Sequence, residues 1–138
     1  MGYRVTAIGE LEPGIIRSVR RPLQLTAFGA NAIVLPAETE WFNHFHREQD
    51  ELYFVHQGQA VFDVGGEQFE VGPGGIVHVE STTPRTFWNG GDAELVIFVV
   101  GGKDGYVERD GQLVDPADLE RRAAAGRGEL EAIRRRNL

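Results

Sequence analysis

Two histidines separated by a single residue, His44 and His46, are the part of this sequence best suited to chemistry. In a β-strand, side chains two residues apart point to the same face, so the two imidazoles would lie side by side with Phe45 opposite. Neutral imidazole nitrogens bind iron, manganese, nickel, copper and zinc. The pair therefore indicates either half of a metal site or the polar end of an ordinary strand.

Glu51 can supply a carboxylate to the same site. Along one continuous strand it would have the opposite parity to His46 and would face away from it. The intervening residues 47–50 are polar and typical of a turn. A bend there would restart the strand with Glu51 and Tyr53 on the histidine side. Two imidazoles and one carboxylate form an open metal site with positions for water or substrate, which favours a site over a strand end.

Turn-forming glycines divide residues from about 3 to 100 into short segments rich in Val, Ile, Phe and Tyr. Gly65-Gly66 is typical of a two-residue hairpin, and further turn sequences occupy residues 72–75 and 89–92. PLQLTAF and NAIVLP are interpreted as strands on either side of Gly29. The pattern predicts an all-β antiparallel sandwich or small barrel with no helix among its strands.

The C-terminal part has a different pattern. Asp110-Gly111 marks a turn, Asp115 is predicted to cap a helix, and Pro116 suits the first helical position. ADLERRAAA is helix-prone, residues 126–128 should end that helix, and LEAIRRRNL is predicted to form a short second one. We therefore divide the chain into a β domain, residues 1–110, and a helical tail, residues 111–138, that packs on the barrel or on a second subunit.

Composition excludes several classes of protein. The 138 residues are the usual size of one domain, and the absence of cysteine excludes a thiolate nucleophile, a disulfide framework and a sulfur-bound zinc. A net charge of −7 argues against nucleic acid as a partner. The first residues lack a long apolar run, so we expect no signal peptide, no membrane span and a cytoplasmic location.

Arginine is concentrated near the C-terminus despite the acidic total. We interpret this cluster as a solvated helix face that offsets the acidic body, in preference to a contact for an acidic partner. The arginines concerned are Arg121, Arg122, Arg127, Arg134, Arg135 and Arg136.

The segment HFHREQDELYFVHQG resembles the first motif of the cupins, His-x-His, four residues, Glu, six residues, Gly. Its positions here are His44, His46, Glu51 and Gly58, and the glycine that usually opens the motif is replaced by Glu38. The resemblance implies that the two histidines and the glutamate are metal ligands. It also implies a double-stranded β-helix (jelly-roll) barrel, often dimeric. Cupins include dioxygenases, isomerases, decarboxylases, epimerases, storage proteins and ligand-sensing domains, so the fold does not name a reaction.

The second cupin motif is degraded in this chain. When it is set on Gly74, its spacing holds and its last position is Asn89. The proline, the inner glycine and the metal-binding histidine of the motif are replaced by Glu80, Thr82 and Arg85, respectively.

A rival register would use Pro73, Gly75 and His78, and would make His78 the fourth metal ligand. It places Thr82 where asparagine belongs and puts the turn before the strand IVHV instead of after it. We therefore prefer the register with Arg85, in which His78 faces away from the ligands. His56 is likewise out of phase with the ligands.

An arginine in place of the fourth ligand changes the expected chemistry. A guanidinium stays protonated and cannot bind a metal. At about 4 Å it would repel a unit charge by roughly 4 kcal/mol at an effective dielectric constant of about 20, and a divalent ion by twice that. Unless an anion intervenes, Arg85 therefore opposes metal binding.

Three hypotheses follow, in order of preference. In the first, His44, His46 and Glu51 hold Fe, Mn, Ni, Zn or Cu, while Arg85 lies further off and grips an anionic substrate group, as in an oxygenase or, next, an isomerase or decarboxylase. In the second, no metal binds, Arg85 pairs with Glu51, and the barrel binds a small anionic ligand. In the third, His78 completes a four-ligand site.

Other residues could line the barrel by their parity. Tyr53, Phe87 and Asn89 share the face of Glu51 or Arg85 and are candidate substrate contacts, although core packing is the simpler role for the two aromatic residues. Out-of-phase apolar residues suggest the contact of a homodimer. These residues are Phe45, Leu52 and Phe54.

Overall fold

The computed structural model describes residues 2–136, and these form two antiparallel sheets of five strands each. The strands are β1 (Ile16–Ser18), β2 (Gly29–Leu35), β3 (His44–His46), β4 (Asp50–Gln57), β5 (Ala60–Val64), β6 (Glu67–Val71), β7 (Ile76–Val79), β8 (Arg85–Asn89), β9 (Leu95–Gly102) and β10 (Gly111–Leu113). The first sheet has the order β1-β2-β9-β4-β7 and the second the order β10-β3-β8-β5-β6. The predicted all-β class is confirmed.

Helical segments are short. The α-helices are α1 (Arg20–Leu23) and α2 (Leu119–Gly126), and 3-10 turns occupy Ile8–Glu10, Pro116–Asp118 and Leu130–Ile133. Within residues 2–136, no helix is both long and apolar enough to cross a bilayer.

The main core lies between the two sheets. Along β4, Tyr53 and Val55 are buried while Leu52 and Phe54 are exposed, which is the alternation expected of a strand with one face inward. Phe62 of the second sheet packs edge-on against Tyr53 with ring centroids 5.4 Å apart. The inward faces of both sheets thus form one apolar interior, and the polar site lies in the same interior.

Three glycines at turns have the conformations that their positions require. Gly65 and Gly66 connect β5 to β6 with φ angles of 60° and 94°, so the predicted hairpin is present and uses the left-handed region that glycine adopts readily. Gly58 has a φ of 85°, and a Cβ there would come within 2.6 Å of the Glu94 carbonyl oxygen. The glycine of the first motif therefore permits close backbone approach at the end of β4.

The prediction that no helix interrupts the strands is wrong, and PLQLTAF is not a strand. Its first two residues belong to α1 and the rest is a loop. Leu23 and Leu25 pack with Val19 against Ala30 and Ala32 of β2. The segment therefore covers the outer side of the first sheet, and this tertiary packing outweighs its local strand propensity.

The tail begins as the sequence predicts. The Asp115 side chain accepts a hydrogen bond from the Ala117 amide at 2.9 Å, Pro116 opens the 3-10 turn, and α2 ends at Gly126. The second helix is a 3-10 turn, Leu130–Ile133, and the last two residues of the LEAIRRRNL segment lie outside the described residues. Ile133 is fully buried in the main core. The predicted boundary at residue 110 falls just before β10, which pairs with β3.

The interpretation of the arginine cluster as a solvated face is wrong for three of its members. These three place their guanidinium groups over aromatic rings: Arg121 over Phe42 at 5.2 Å, Arg122 over Trp41 at 4.9 Å and Arg135 over Trp88 at 4.3 Å. Cation–π contacts of this kind attach the tail to the barrel. The aromatic partners lie far away in sequence, so helical patterning could not identify them.

Candidate metal centre

The two histidines and the glutamate come from neighbouring strands of different sheets. His44 and His46 lie on β3 of the second sheet, and Glu51 lies on β4 of the first. The bend required by the parity of Glu51 occurs over residues 47–49, where the chain passes between the sheets. It brings Glu51 and Tyr53 to the side on which the imidazoles point.

Asp110 holds this bend in place. Its buried carboxylate accepts hydrogen bonds from the Glu48 amide at 3.1 Å and from the Gln49 amide at 2.7 Å. The Gln49 side chain accepts one from the Val107 amide at 3.0 Å. The loop before β10 is therefore attached to the loop between the histidines and the glutamate.

Three ligand atoms converge in the resulting space. One oxygen of Glu51, Oε1, lies 3.1 Å from Nε2 of His46 and 3.6 Å from Nε2 of His44. His44, His46 and Glu51 each offer one metal-ligating atom, and these atoms lie within 4.8 Å of one another. The Tyr53 hydroxyl donates to the same Glu51 oxygen at 2.6 Å. The predicted group of three is thus assembled, with a fourth residue orienting its carboxylate.

The contacts of Nδ1 in each histidine indicate that Nε2 is the nitrogen that can bind a metal. Nδ1 of His44 lies 2.8 Å from the Phe42 carbonyl oxygen, which can only accept, so a neutral His44 has its proton on Nδ1. Nδ1 of His46 is buried and lacks a well-aligned partner among the described residues, but Asp110 Oδ2 lies 3.4 Å away and favours a proton there. Both Nε2 atoms then direct lone pairs toward the Glu51 oxygen.

Three electron-rich atoms that face one another repel unless a cation lies between them. Protons on the imidazoles or a divalent metal would relieve this repulsion, and the ligand set of two imidazoles and one carboxylate suits a first-row transition metal. The donor chemistry of the group therefore fits a metal.

The pKa values of Glu51 and Tyr53 are shifted in opposite directions. Burial raises the pKa of Glu51, but protonated imidazoles of His44 and His46, which donate through Nε2–H and carry positive charge, outweigh it and hold the pKa well below its usual range. Burial, with the nearby Glu51 charge, raises the pKa of Tyr53 well above its ordinary value. Because the folded pKa of Glu51 is lowered, its ionised form stabilises the fold above the unfolded pKa of about 4.3 and loses this effect as the pH falls.

Arg85 lies behind the glutamate and is fully buried. Its backbone pairs with that of His44, and Nη1 lies 3.4 Å from Glu51 Oε1. Nη2 donates to the carbonyl oxygens of Glu80 at 2.7 Å and Ser81 at 3.3 Å. The guanidinium thus contacts Glu51 and backbone carbonyls, and Arg85 is not among the residues that line the cavity described below.

The other candidate residues are divided between the cavity and the core. Tyr53 lines the cavity, whereas Phe87 is fully buried and packs against Phe62 with ring centroids 5.2 Å apart. The Asn89 amide donates to the carbonyl oxygens of Leu35 and Ala93, which makes it part of the turn after β8.

The two remaining histidines point outward. The His78 side chain is 57% exposed on β7, with Asp50 its ion-pair neighbour at 3.9 Å. His56 is exposed on β4. Neither belongs to the group of convergent ligands, and the observed strand register agrees with the outward orientation expected for His78 and His56.

A cavity of about 440 Å³ opens beside the three ligands. Its apolar wall includes Ile33, Trp41, Phe42, Val99 and Leu113. Its polar residues outside the ligand group include Asn31, Gln49, Tyr53, Asp110, Gln112 and Arg122. Its volume is in the range of small-molecule sites, about 300–1,000 Å³.

Sequence reasoning missed the site roles of Asp110 and Arg122. From the sequence, Asp110 is predicted only to form a turn, whereas its hydrogen bond to Gln49 spans 61 residues. Arg122 is predicted to lie on a solvated face. The Asp-Gly dipeptide is a local signal for a turn, but no local pattern shows that its carboxylate returns to a histidine.

Comparison with known proteins shows the family. The sequence profile of the cupin domain matches residues 32–101, and this chain belongs to the cupin family. An uncharacterized protein of Methanocaldococcus jannaschii, MJ1618, is 30% identical over 87 residues. That alignment covers 63% of this chain and 64% of the relative, so the chain spans less than two thirds of its length.

Solved structures show the same fold. A cupin protein from Bacteroides fragilis superimposes with a TM-score of 0.66 at 20% identity, over 78% of this chain and 90% of that one. A double-stranded β-helix protein from Klebsiella pneumoniae gives 0.69 at 17% identity, over 81% and 97%. The expected double-stranded β-helix architecture is confirmed.

We predict that Tyr53→Phe destabilises the metal-free protein. The substitution removes the donor to an ionised carboxylate, a type of hydrogen bond worth about 1.5–3 kcal/mol. Urea unfolding at pH 7 with chelator present should show a loss of that size. The exposed Tyr106 provides a matched control, and Tyr106→Phe should change the free energy of unfolding by less than about 0.5 kcal/mol. Equal effects of the two substitutions would contradict the assignment.

Proposed function

We propose that the protein binds one divalent transition metal through His44, His46 and Glu51 and holds a small anionic organic molecule in the adjoining cavity. The observation that carries this proposal is the convergence of two imidazole nitrogens and one carboxylate oxygen within 4.8 Å beside open space. Fe, Mn, Ni, Cu and Zn all suit this ligand set. When bound, such a metal supplies Lewis acidity or redox chemistry at its open positions.

Charge balance supports an anionic ligand. Without metal, the charges of Glu51 and Arg85 cancel, because the two groups are in contact at 3.4 Å. The buried Asp110 carboxylate, 3.4 Å from His46, offsets only one of the two charges of a divalent ion. An excess of positive charge would therefore remain in a largely buried site, and uncompensated buried charge is costly. An anionic molecule in the cavity would offset that excess. Among metal-dependent reactions, an oxygenase-like one is the first candidate, and isomerase or decarboxylase chemistry follows.

The protein's own residues have separable roles in this proposal. Tyr53 orients the Glu51 carboxylate through its 2.6 Å hydrogen bond. Asp110 fixes the loop between the ligands and favours the His46 tautomer with a free Nε2. The apolar wall of the cavity excludes water from the ligand.

A metal-free binding protein is the second candidate, and the Arg85–Glu51 contact favours it. The arginine occupies the motif position of the fourth ligand and already neutralises the carboxylate. In that state the barrel would bind a small anionic molecule as a sensor or carrier, with protonated imidazoles providing the attraction.

Metal analysis of protein purified without chelator separates the two candidates. We expect close to one equivalent of metal per chain, lost in His46→Ala because one of three ligands is removed. His56→Ala, which changes an exposed histidine on β4, is the control and should keep its metal. Metal-free wild-type protein of normal stability, stabilised by small carboxylates alone, would instead support the metal-free candidate.

Asp110→Asn should weaken metal binding by about 10–100-fold, the usual effect of losing an outer carboxylate next to a ligating histidine. Asparagine keeps an oxygen for the loop amides but removes the negative charge beside His46. The affinity for Zn²⁺ can be measured by competition with a chelator. Asp104→Asn, in the exposed loop after β9, is the matched control. Unchanged affinity in the folded Asp110 variant would refute a role for this carboxylate in metal binding.

We also propose a homodimer that forms through the outer face of the first sheet. Leu52, Phe54 and Ile76 are 43%, 37% and 64% exposed on adjacent strands β4 and β7, whereas Phe45 lies half-buried on β3 of the other sheet. Sedimentation should show a dimer for the wild type and a monomer for Leu52→Glu. Leu130→Glu, at an exposed position of the tail, should leave the dimer intact. A wild-type monomer at high concentration would exclude this assembly.

A further inference from the structure

Arg122 belongs to the C-terminal tail and places a positive charge in the wall of the cavity. It lies on α2, and it lines the same cavity as His44, His46 and Glu51. Its guanidinium carbon lies 4.9 Å from the ring centroid of Trp41, which is itself buried. The tail therefore contributes a polar group to a space that is lined mainly by strands and loops of the barrel.

Two arginines line this cavity, Arg109 and Arg122, and neither has an anionic partner among residues 2–136; Arg109 is exposed to solvent, whereas Arg122 is half-buried. Arg121 and Arg136 both contact Asp118, at 3.0 and 3.1 Å, and Arg85 contacts Glu51. Within the same described range, neither a carboxylate nor a hydrogen-bond acceptor is in contact with the Arg122 guanidinium. One face of the guanidinium stacks on Trp41, and no acceptor for its N–H groups lies among the described residues.

The Arg122 guanidinium also lies close to its own helix. A Cβ at Gly126, one helical turn further along α2, would lie 3.4 Å from Nη1 of Arg122, which is an ordinary van der Waals contact. Burial of the side chain lowers the pKa of Arg122, which is the direction expected for a cation removed from water without a counter-ion.

A partly buried guanidinium with free donors is a receptor for a planar or tetrahedral anion. Its fork of N–H groups matches the two oxygens of a carboxylate or phosphate, and stacking on an aromatic ring leaves that edge available. Either a carboxylate or a phosphate would offset the cost of burying the guanidinium charge. The apolar wall between the barrel and the tail would contact the remainder of such a ligand.

We infer that Arg122 is the residue that recognises the anionic group of the ligand in this cavity. The ligand class is a small molecule with a carboxylate or phosphate at one end and an oxygen function that reaches the three metal ligands at the other. This inference rests on the proposed function. It replaces Arg85, which the barrel buries behind Glu51, with an arginine of the tail as the specificity-determining residue.

The test measures the binding of simple anions to the full chain loaded with Zn²⁺. Isothermal titration calorimetry with pyruvate, benzoate and inorganic phosphate covers the carboxylate and phosphate sources, and benzyl alcohol is an uncharged comparison. At least one anion should bind more tightly than benzyl alcohol. Arg122→Gln should lower the affinity for that anion by about 10-fold or more, because a charge-assisted hydrogen bond is lost. Arg127→Gln, an exposed substitution in the same tail, should leave it unchanged.

Metal content and melting temperature, measured on the same samples, separate this inference from the proposed function. Full metal content with equal anion affinity in wild type and Arg122→Gln overturns the inference and leaves the metal site standing. Anion binding that depends on Arg122 in a protein that takes up no metal supports the inference and overturns the metal site. Failure of every anion to bind the wild type also overturns the inference.

A conservative substitution covers the case in which Arg122→Gln does not fold. Arg122→Lys keeps the charge and much of the packing on Trp41 but loses the fork of donors. It should melt near the wild-type temperature and bind the anion several-fold more weakly. Wild-type affinity in this variant would show that bidentate recognition by Arg122 is absent and would overturn the inference.

Discussion

A single carboxylate oxygen, Oε1 of Glu51, is the point on which the rest of the site depends. It accepts the Tyr53 hydroxyl at 2.6 Å and lies within 3.6 Å of both imidazoles and of the Arg85 guanidinium. Burial alone would favour the neutral acid, but the interactions with His44 and His46 outweigh it and lower the pKa of Glu51. The ionised glutamate thus joins the two sheets electrostatically, provided that protons or a metal ion lie between its oxygen and the two imidazoles.

The net charge of the site depends on whether a metal ion is bound. Glu51 and Arg85 neutralise each other, while two neutral imidazoles still offer lone pairs to a cation. In the proposed function, a divalent ion brings more positive charge than Asp110, the other buried carboxylate of the site, can offset. The proposed anionic ligand would offset the remaining charge, and Arg122 lines the cavity in which we propose that it binds.

Local chemistry predicted several elements because each depends on a few adjacent residues. The Gly65-Gly66 hairpin and the Asp115 cap need only particular backbone conformations and one side-chain acceptor, and both are present. The failures share another cause. PLQLTAF has the composition of a strand, yet it covers Ala30 and Ala32 as helix and loop because the outer side of β2 needs an apolar layer. Tertiary burial outweighed propensity there.

The sequence by itself determined the types of the ligands and the common face of the two histidines. Because side chains two residues apart in a strand share a face, it also showed that a bend is needed before Glu51. It also determined that position 85 holds a permanent cation. Only the tertiary structure decided how that cation is used, since the carbonyls of Glu80 and Ser81 direct it away from the cavity. The roles of Asp110 and Arg122 were likewise decided by packing. Their contacts join residues that are about 60 or more positions apart, and no short-range pattern encodes such distances.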